Sequence, residues 1–220
     1  MKKLITAVAI LVSAFTYAQN EGSVTYVMTM EGLPPEQAAM VGDMETKIYY
    51  KDKKSLSETS SMMFSTKTLT DENGQLLLMD QMGNKSFTRV SKAEMEKMAA
   101  ESASKDKDPK IEYTTESKSI AGYDCKKAII TLNGKEGEIK TDVWYTEKVP
   151  YVSQGGGRRG EMFKGLKGMP MEFSFKQQGM NIKMSAKEVS LDKVPDSVFV
   201  LSTEGYTEKK MDEMKKGGGK

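Results

Sequence analysis

The chain has 220 residues, with 33 basic against 31 acidic side chains, one cysteine and no histidine. Without histidine there is no Ser-His or Cys-His pair and no His-ligated zinc, and with one cysteine there is no internal disulfide. The balanced charge gives no basic surplus for a nucleic-acid partner.

The opening MKKLITAVAILVSAFTYA places Lys2 and Lys3 before an apolar run from Leu4 to Phe15, followed by the small residues Thr16 and Ala18. That is the pattern of a cleavable secretory signal, and the run is too short for a membrane span. It predicts a signal over 1–18 and a soluble exported chain, periplasmic or secreted and not membrane-spanning, beginning near Gln19. Lys2 and Lys3 account for the whole basic surplus, so the mature chain is neutral. The residue after the expected cut is not the cysteine that an acylated lipoprotein carries there. A single β-rich domain is expected over 19–208, with a disordered tail over 209–220.

After the signal, GSVTYVMTM sets Val24, Tyr26, Met28 and Met30 on one side of a period-two pattern, the mark of a half-buried strand. EGLPPEQAAMVGDM reads as a loop or a short helix over 35–41. TKIYYKD, KSLSETS, MMFSTKTLT, QLLLMDQ and KSFTRV then follow as short strands, punctuated by DENG at 71–74 and by Gly83. SKAEMEKMAAES predicts a helix opened by a capping box, Ser91 with Glu94 three residues on. A polar linker over 101–110 leads to IEYTTESKSI, GYDCKKAIITL, a turn at Asn133-Gly134 and EIKTDVWYTEK. A glycine-rich connection over 153–168 precedes MEFSFKQQ, a turn at Gly179 and MNIKMSAKEVSL. PDSVF then makes a turn or short helix. Alternating strands dominate, which favours an antiparallel sheet with one wet face. The expected fold is mainly β, a strongly curved antiparallel sheet or half-open β-barrel of roughly eight to eleven strands, with one or two helices and one of them against the concave side.

Few constellations carry chemistry. Cys125 lies among recurring apolar residues with no histidine to activate it, so a buried structural thiol is expected over a redox or intermolecular role. QGGGRRG has dinucleotide-fingerprint spacing at Gly155, Gly157 and Gly160 but lacks the buried strand before and the helix after. Arg158 and Arg159 in that loop suit anionic headgroups. An S-x-x-K string at Ser104 and Lys107 lies in the charged linker, where nothing desolvates the lysine. Methionine is the compositional anomaly, at 18 residues where roughly four or five would be ordinary. Three uses are open, namely core filling, lining of an apolar ligand cavity, and copper(I) binding by thioethers. The pairs are spread over many strands, which disfavours copper, and no cofactor or metal site is expected.

The succession IAGYDCKKAIITL, DVWYTEKVPY, GLKGMPMEFSF and VSLDKVPDSVFVLSTEGYTE resembles the exported domain-of-unknown-function family 4412 and, more loosely, the GLPGLI proteins of Bacteroidota. The closing D-S-x-F and glycine-tyrosine pair resemble the ends of lipoprotein carriers of the LolA and LolB type. The resemblance covers roughly 20–208, with its specific part in 119–208. It departs where GLPGL reads GLKGM and where Val200-Leu201-Ser202 replaces a proline. It implies an incomplete antiparallel barrel, closed by helices around an apolar hollow.

Two functions follow as expectations. One is an exported, non-catalytic binding protein that holds an apolar or lipid-like ligand against Tyr26, Met28, Met30, Phe64, Trp144, Phe173, Phe175, Met180, Ile182 and Met184. The other is a structural or protein-interaction module of the cell envelope whose interior is filled by its own side chains and whose partner is an envelope protein. An enzyme is the third and weakest reading, because no nucleophile with an activating base is visible.

Overall fold

A computed structural model describes residues 20–32, 44–62, 64–103, 108–134, 137–151, 162–177 and 180–210. The expected signal over 1–18, the loop or helix over 35–41, Gly179, Arg158-Arg159 and Ser104/Lys107 lie outside the described residues, as do 211–220 of the expected tail.

The strands are β1 (Glu21–Glu31), β2 (Met44–Lys51), β3 (Lys54–Ser60), β4 (Phe64–Asp71), β5 (Gly74–Gln81) and β6 (Asn84–Ser91). After helix α1 (Lys92–Ala103) come β7 (Lys110–Ile120), β8 (Tyr123–Gly134), β9 (Gly137–Thr146), β10 (Met169–Gln177) and β11 (Met180–Ser190), and a two-residue strand β12 (Thr207–Glu208) ends the series. They form one sheet in the order β12-β6-β5-β4-β3-β2-β1-β11-β10-β9-β8-β7. Two antiparallel meanders, β1–β6 and β7–β11, are therefore joined where β1 pairs with β11, with Met28 opposite Met184 and Met30 opposite Ile182. β12 adds to β6 in parallel, which makes the sheet mixed.

The expectation of a strongly curved sheet or half-open, LolA/LolB-like β-barrel is overturned. The sheet has two ends, β12 and β7, that do not pair, and it is neither closed nor strongly curled. The residues at those ends show why. The outer side of β6 is occupied by β12. On β7 a bulge between Tyr113 and Ser117 interrupts the strand, among Lys110, Glu112, Glu116 and Lys118. Bulges and charges are devices that keep an edge from pairing. The helix does not fill a concave side either. Its capping box forms as expected, with the Ser91 amide and hydroxyl donating to Glu94 Oε2 at 2.8 and 2.6 Å, and these bonds hold the Glu94 carboxyl below its usual range. Beyond Met95, however, no side chain described on α1 is better than exposed, and Met98 is 39 % exposed. A helix with so weak an apolar stripe has little to gain from lying across a core.

Hydrophobic burial occurs on both faces instead. Along β2, Met44, Thr46, Ile48 and Tyr50 are buried while the residues between them are not. Met44, Ile48 and Tyr50 share a main cluster with Val24, Tyr26 and Met28 of β1, with Met169, Met171 and Phe173 of β10, and with Ile182, Met184 and Ala186 of β11. Met162, Phe163 and Leu166, in the short turn segment before β10, and Val149 after β9 join that cluster. The opposite face carries a second cluster. The cross-strand row Tyr49, Leu56 and Leu69 is covered by Val194, Val198, Phe199 and Leu201, from a C-terminal strap that includes a 3-10 turn at Asp196–Phe199. The strap is tied down by Lys51, whose Nζ lies 2.9 Å from Asp196 Oδ1 and donates to the Val194 carbonyl, and by the Val194 amide donating to Glu21. It ends with the Lys209 amide donating to the Phe87 carbonyl and Thr88 Oγ1 donating to the Lys209 carbonyl.

Candidate functional site

The sheet brings most of the ten expected ligand-facing residues together. Met28, Met30, Phe173, Phe175, Ile182 and Met184 are cross-strand neighbours on three adjacent strands. The Tyr26 and Phe173 rings lie edge to face at 6.3 Å, and Tyr26 donates its hydroxyl hydrogen to the Pro170 carbonyl at 2.7 Å. Yet they pack against protein. Tyr26 is 0 %, Phe173 1 %, Met184 2 %, Ile182 3 % and Met28 9 % exposed. Met30, Phe64 and Phe175 lie half-buried against the same cluster, and Met180, half-buried, starts β11 opposite Gln177. The residue that seals this interior is one the sequence did not nominate: the Phe163 ring stands 4.7 Å from Phe173 and 6.5 Å from Tyr151. Its signal was an aromatic between Met162 and Leu166 in a glycine-rich stretch that otherwise reads as loop.

Trp144 also lies half-buried against the main cluster, but from the other side of β9. Its neighbours Val143 and Tyr145 are buried, so strand alternation turns Trp144 to the other face. There it is half-buried, with Lys118 Nζ 4.3 Å and Lys127 Nζ 6.0 Å from its ring centroid, a cation–π arrangement. The two ammonium groups are neutralised in turn. Lys118 lies 2.7 Å from Glu172 Oε1, and Lys183 and Ser185 approach Glu172 Oε2 at 3.3 Å each. Lys127 lies 2.9 Å from Asp142 and 3.2 Å from Glu116, which raises its pKa. Burial by itself would raise Glu172, but the hydrogen bond and charge of Lys118, with Lys183, hold its carboxyl below the usual range. The result is a belt of paired charges over β7 to β11 around one tryptophan. These pairs reach from β7 to β11 across the same face.

Cys125 is fully buried, its thiol within 3.4 Å of the Tyr123 carbonyl, and burial pushes its pKa up, as expected of a structural thiol. Tyr50 is the main cluster's exception. Its hydroxyl is buried with no hydrogen-bond partner among the described residues, and burial, then Tyr123, push it up to about 12. Gly22 makes the room: a Cβ there would come within 2.7 Å of the Tyr50 oxygen and 2.6 Å of the Ser190 carbonyl.

An open surface depression of about 270 Å³ is lined by Thr25, Glu45, Lys47, Glu58, Ser60, Lys187 and Glu188, with Lys187 paired to Glu45 at 2.6 Å. Its lining is polar, and none of the ten expected ligand-facing residues contributes to it. Among the described residues no three His, Cys, Asp or Glu side chains gather as a metal site, and no helix is long and apolar enough to cross a membrane.

No family model matches the chain, and the curated proteins hold no significant match to it. Among solved structures, the crystal structure of LprF from Mycobacterium bovis is similar over 80 % of this chain and 89 % of that one, with 11 % identity and a TM-score of 0.35. The likeness is too distant to transfer a fold family or a function.

Proposed function

We propose that this chain is an exported, non-catalytic module of the cell envelope that works through its surface, as a structural or protein-interaction element, and not by holding a lipid inside. One observation carries the reading: the side chains that would line a ligand hollow are packed against one another and against Phe163, at a few per cent exposure or less for the innermost. A lipid would have to displace that packing, and the apolar area it removed from water would replace area already removed. The signal pattern over 1–18 supports export to the periplasm or the medium. The motif order in 119–208 supports kinship with the exported 4412 family. The absence of histidine from the whole sequence supports a non-catalytic role.

The test pairs two measurements on the same delipidated protein. A fluorescent fatty acid should show no saturable binding, and pull-down from an envelope fraction should return a protein retained after detergent washing. Saturable fatty-acid binding that Met184→Asp abolishes would overturn the proposal.

A further inference from the structure

Among the described methionines, those of the core are closed to solvent and two at one end of the sheet are the most open, with Met98 on α1 next at 39 % exposed. Met169 and Met171 are 1 % and 0 % exposed, whereas Met62 is 86 % and Met82 77 % exposed. Both exposed residues occupy turns at the same end. The turn after β3 is closed by the Ser61 amide on the Phe64 carbonyl, and Met82-Gly83 joins β5 to β6. Phe64 and Gln81, which border the two turns, are themselves cross-strand partners, so the turns are neighbours. Met82 is also strained. It has φ +51 and precedes Gly83 at φ +87, a two-residue turn with both residues left-handed, where asparagine, aspartate or glycine is ordinarily found. The fold gains neither burial nor turn geometry from methionine at this position.

We propose that Met62 and Met82 form a surface oxidation site, reacting with hydroperoxides in the oxidising compartment to which the chain is directed. A sulfur lone pair attacks one peroxide oxygen; the S–O bond forms as the O–O bond breaks. Sulfur gives up two electrons and becomes a sulfoxide, and hydrogen peroxide leaves as water once the departing hydroxide takes the proton. The change turns an apolar turn residue into a polar one and is reversible by methionine sulfoxide reductases. The core thioethers are spared because an oxidant reaches them only when the sheet opens.

The experiment treats the intact chain with hydrogen peroxide and maps sulfoxide residue by residue, with tandem mass spectrometry and far-ultraviolet circular dichroism at each time point. Met62 and Met82 should oxidise at least about tenfold faster than Met169 and Met171, with the strand signal unchanged, and a reductase should reverse them. The double variant Met62→Leu/Met82→Leu should fold alike and take up two oxygen atoms fewer in the fast phase. Equal rates at turn and core methionines, or loss of the strand signal as Met62 and Met82 oxidise, would overturn the proposal.

Discussion

Replacing Phe173 by alanine separates a filled interior from a lined cavity. The ring is 1 % exposed and is touched by Tyr26, Phe163 and Phe175 at centroid distances of 6.3, 4.7 and 6.3 Å. Removing a ring held on three sides by other rings forfeits its transfer free energy and leaves a void that Val143 and Met184, its cross-strand neighbours, are too constrained to fill. Such truncations cost about 3–5 kcal/mol, and in a chain of this size each kcal/mol lowers the melting temperature by about 2–4 °C. Phe173→Ala should therefore lower the urea midpoint at unchanged m-value, with a melting temperature about 10 °C lower. Were Phe173 the wall of a hollow, its far side would already lack partners, and truncation would remove only part of that energy. A loss below about 1 kcal/mol, or full recovery of stability on adding a fatty acid, would refute the filled interior.

Tyr50→Phe removes a buried hydroxyl that has no partner among the described residues, so stability should rise, by about 1 kcal/mol; a fall in the urea midpoint would show that the hydroxyl is satisfied in solution. Glu172 has a folded pKa below its unfolded value. Its contribution is therefore present above the unfolded carboxylate pKa and is lost as pH falls through the folded one. Glu172→Gln should flatten the acid limb of stability against pH, and an unchanged limb would remove the Lys118–Glu172–Lys183 cluster from the account. Cys125 should resist a thiol reagent in the native chain and react in urea; labelling at the same rate in both would mean that the strand pair above it opens freely.

Where the physics is local, the sequence was a sufficient guide. Alternation in Val24, Tyr26, Met28 and Met30 marked the correct face of β1, because a strand's side chains switch sides at every residue. The reciprocal bonds of Ser91 and Glu94 need only four residues to be written. The turn between β4 and β5 sits inside DENG as expected, with Asp71 opposite Gly74. Asn133-Gly134 failed by a small margin. β8 runs on through Gly134, which pairs with Gly137, so the neighbouring pairs held those residues in the ladder despite their turn preference.

What could not be read locally is what covers each face. Phe163 follows Met162 in a glycine- and lysine-bearing stretch, and of the strap residues Val194 precedes Pro195 and Phe199 lies in a short apolar run at 198–201; none of them belongs to an alternating strand pattern that would say what it covers. Their burial depends on which strands lie beneath them, and therefore on the β1–β11 pairing that joins residues some 160 positions apart in sequence. The same pairing accounts for the open sheet. Once β1 is flanked by β2 and β11, each meander grows away from the centre, and closure would require β7 to pair beyond β6. A barrel buries its apolar face by wrapping around it; here the segment from Met162 to Leu166 and the strap bury opposite faces without wrapping. Cover supplied by coil relieves the sheet of the need to close, because each apolar face is buried without wrapping the strands around it.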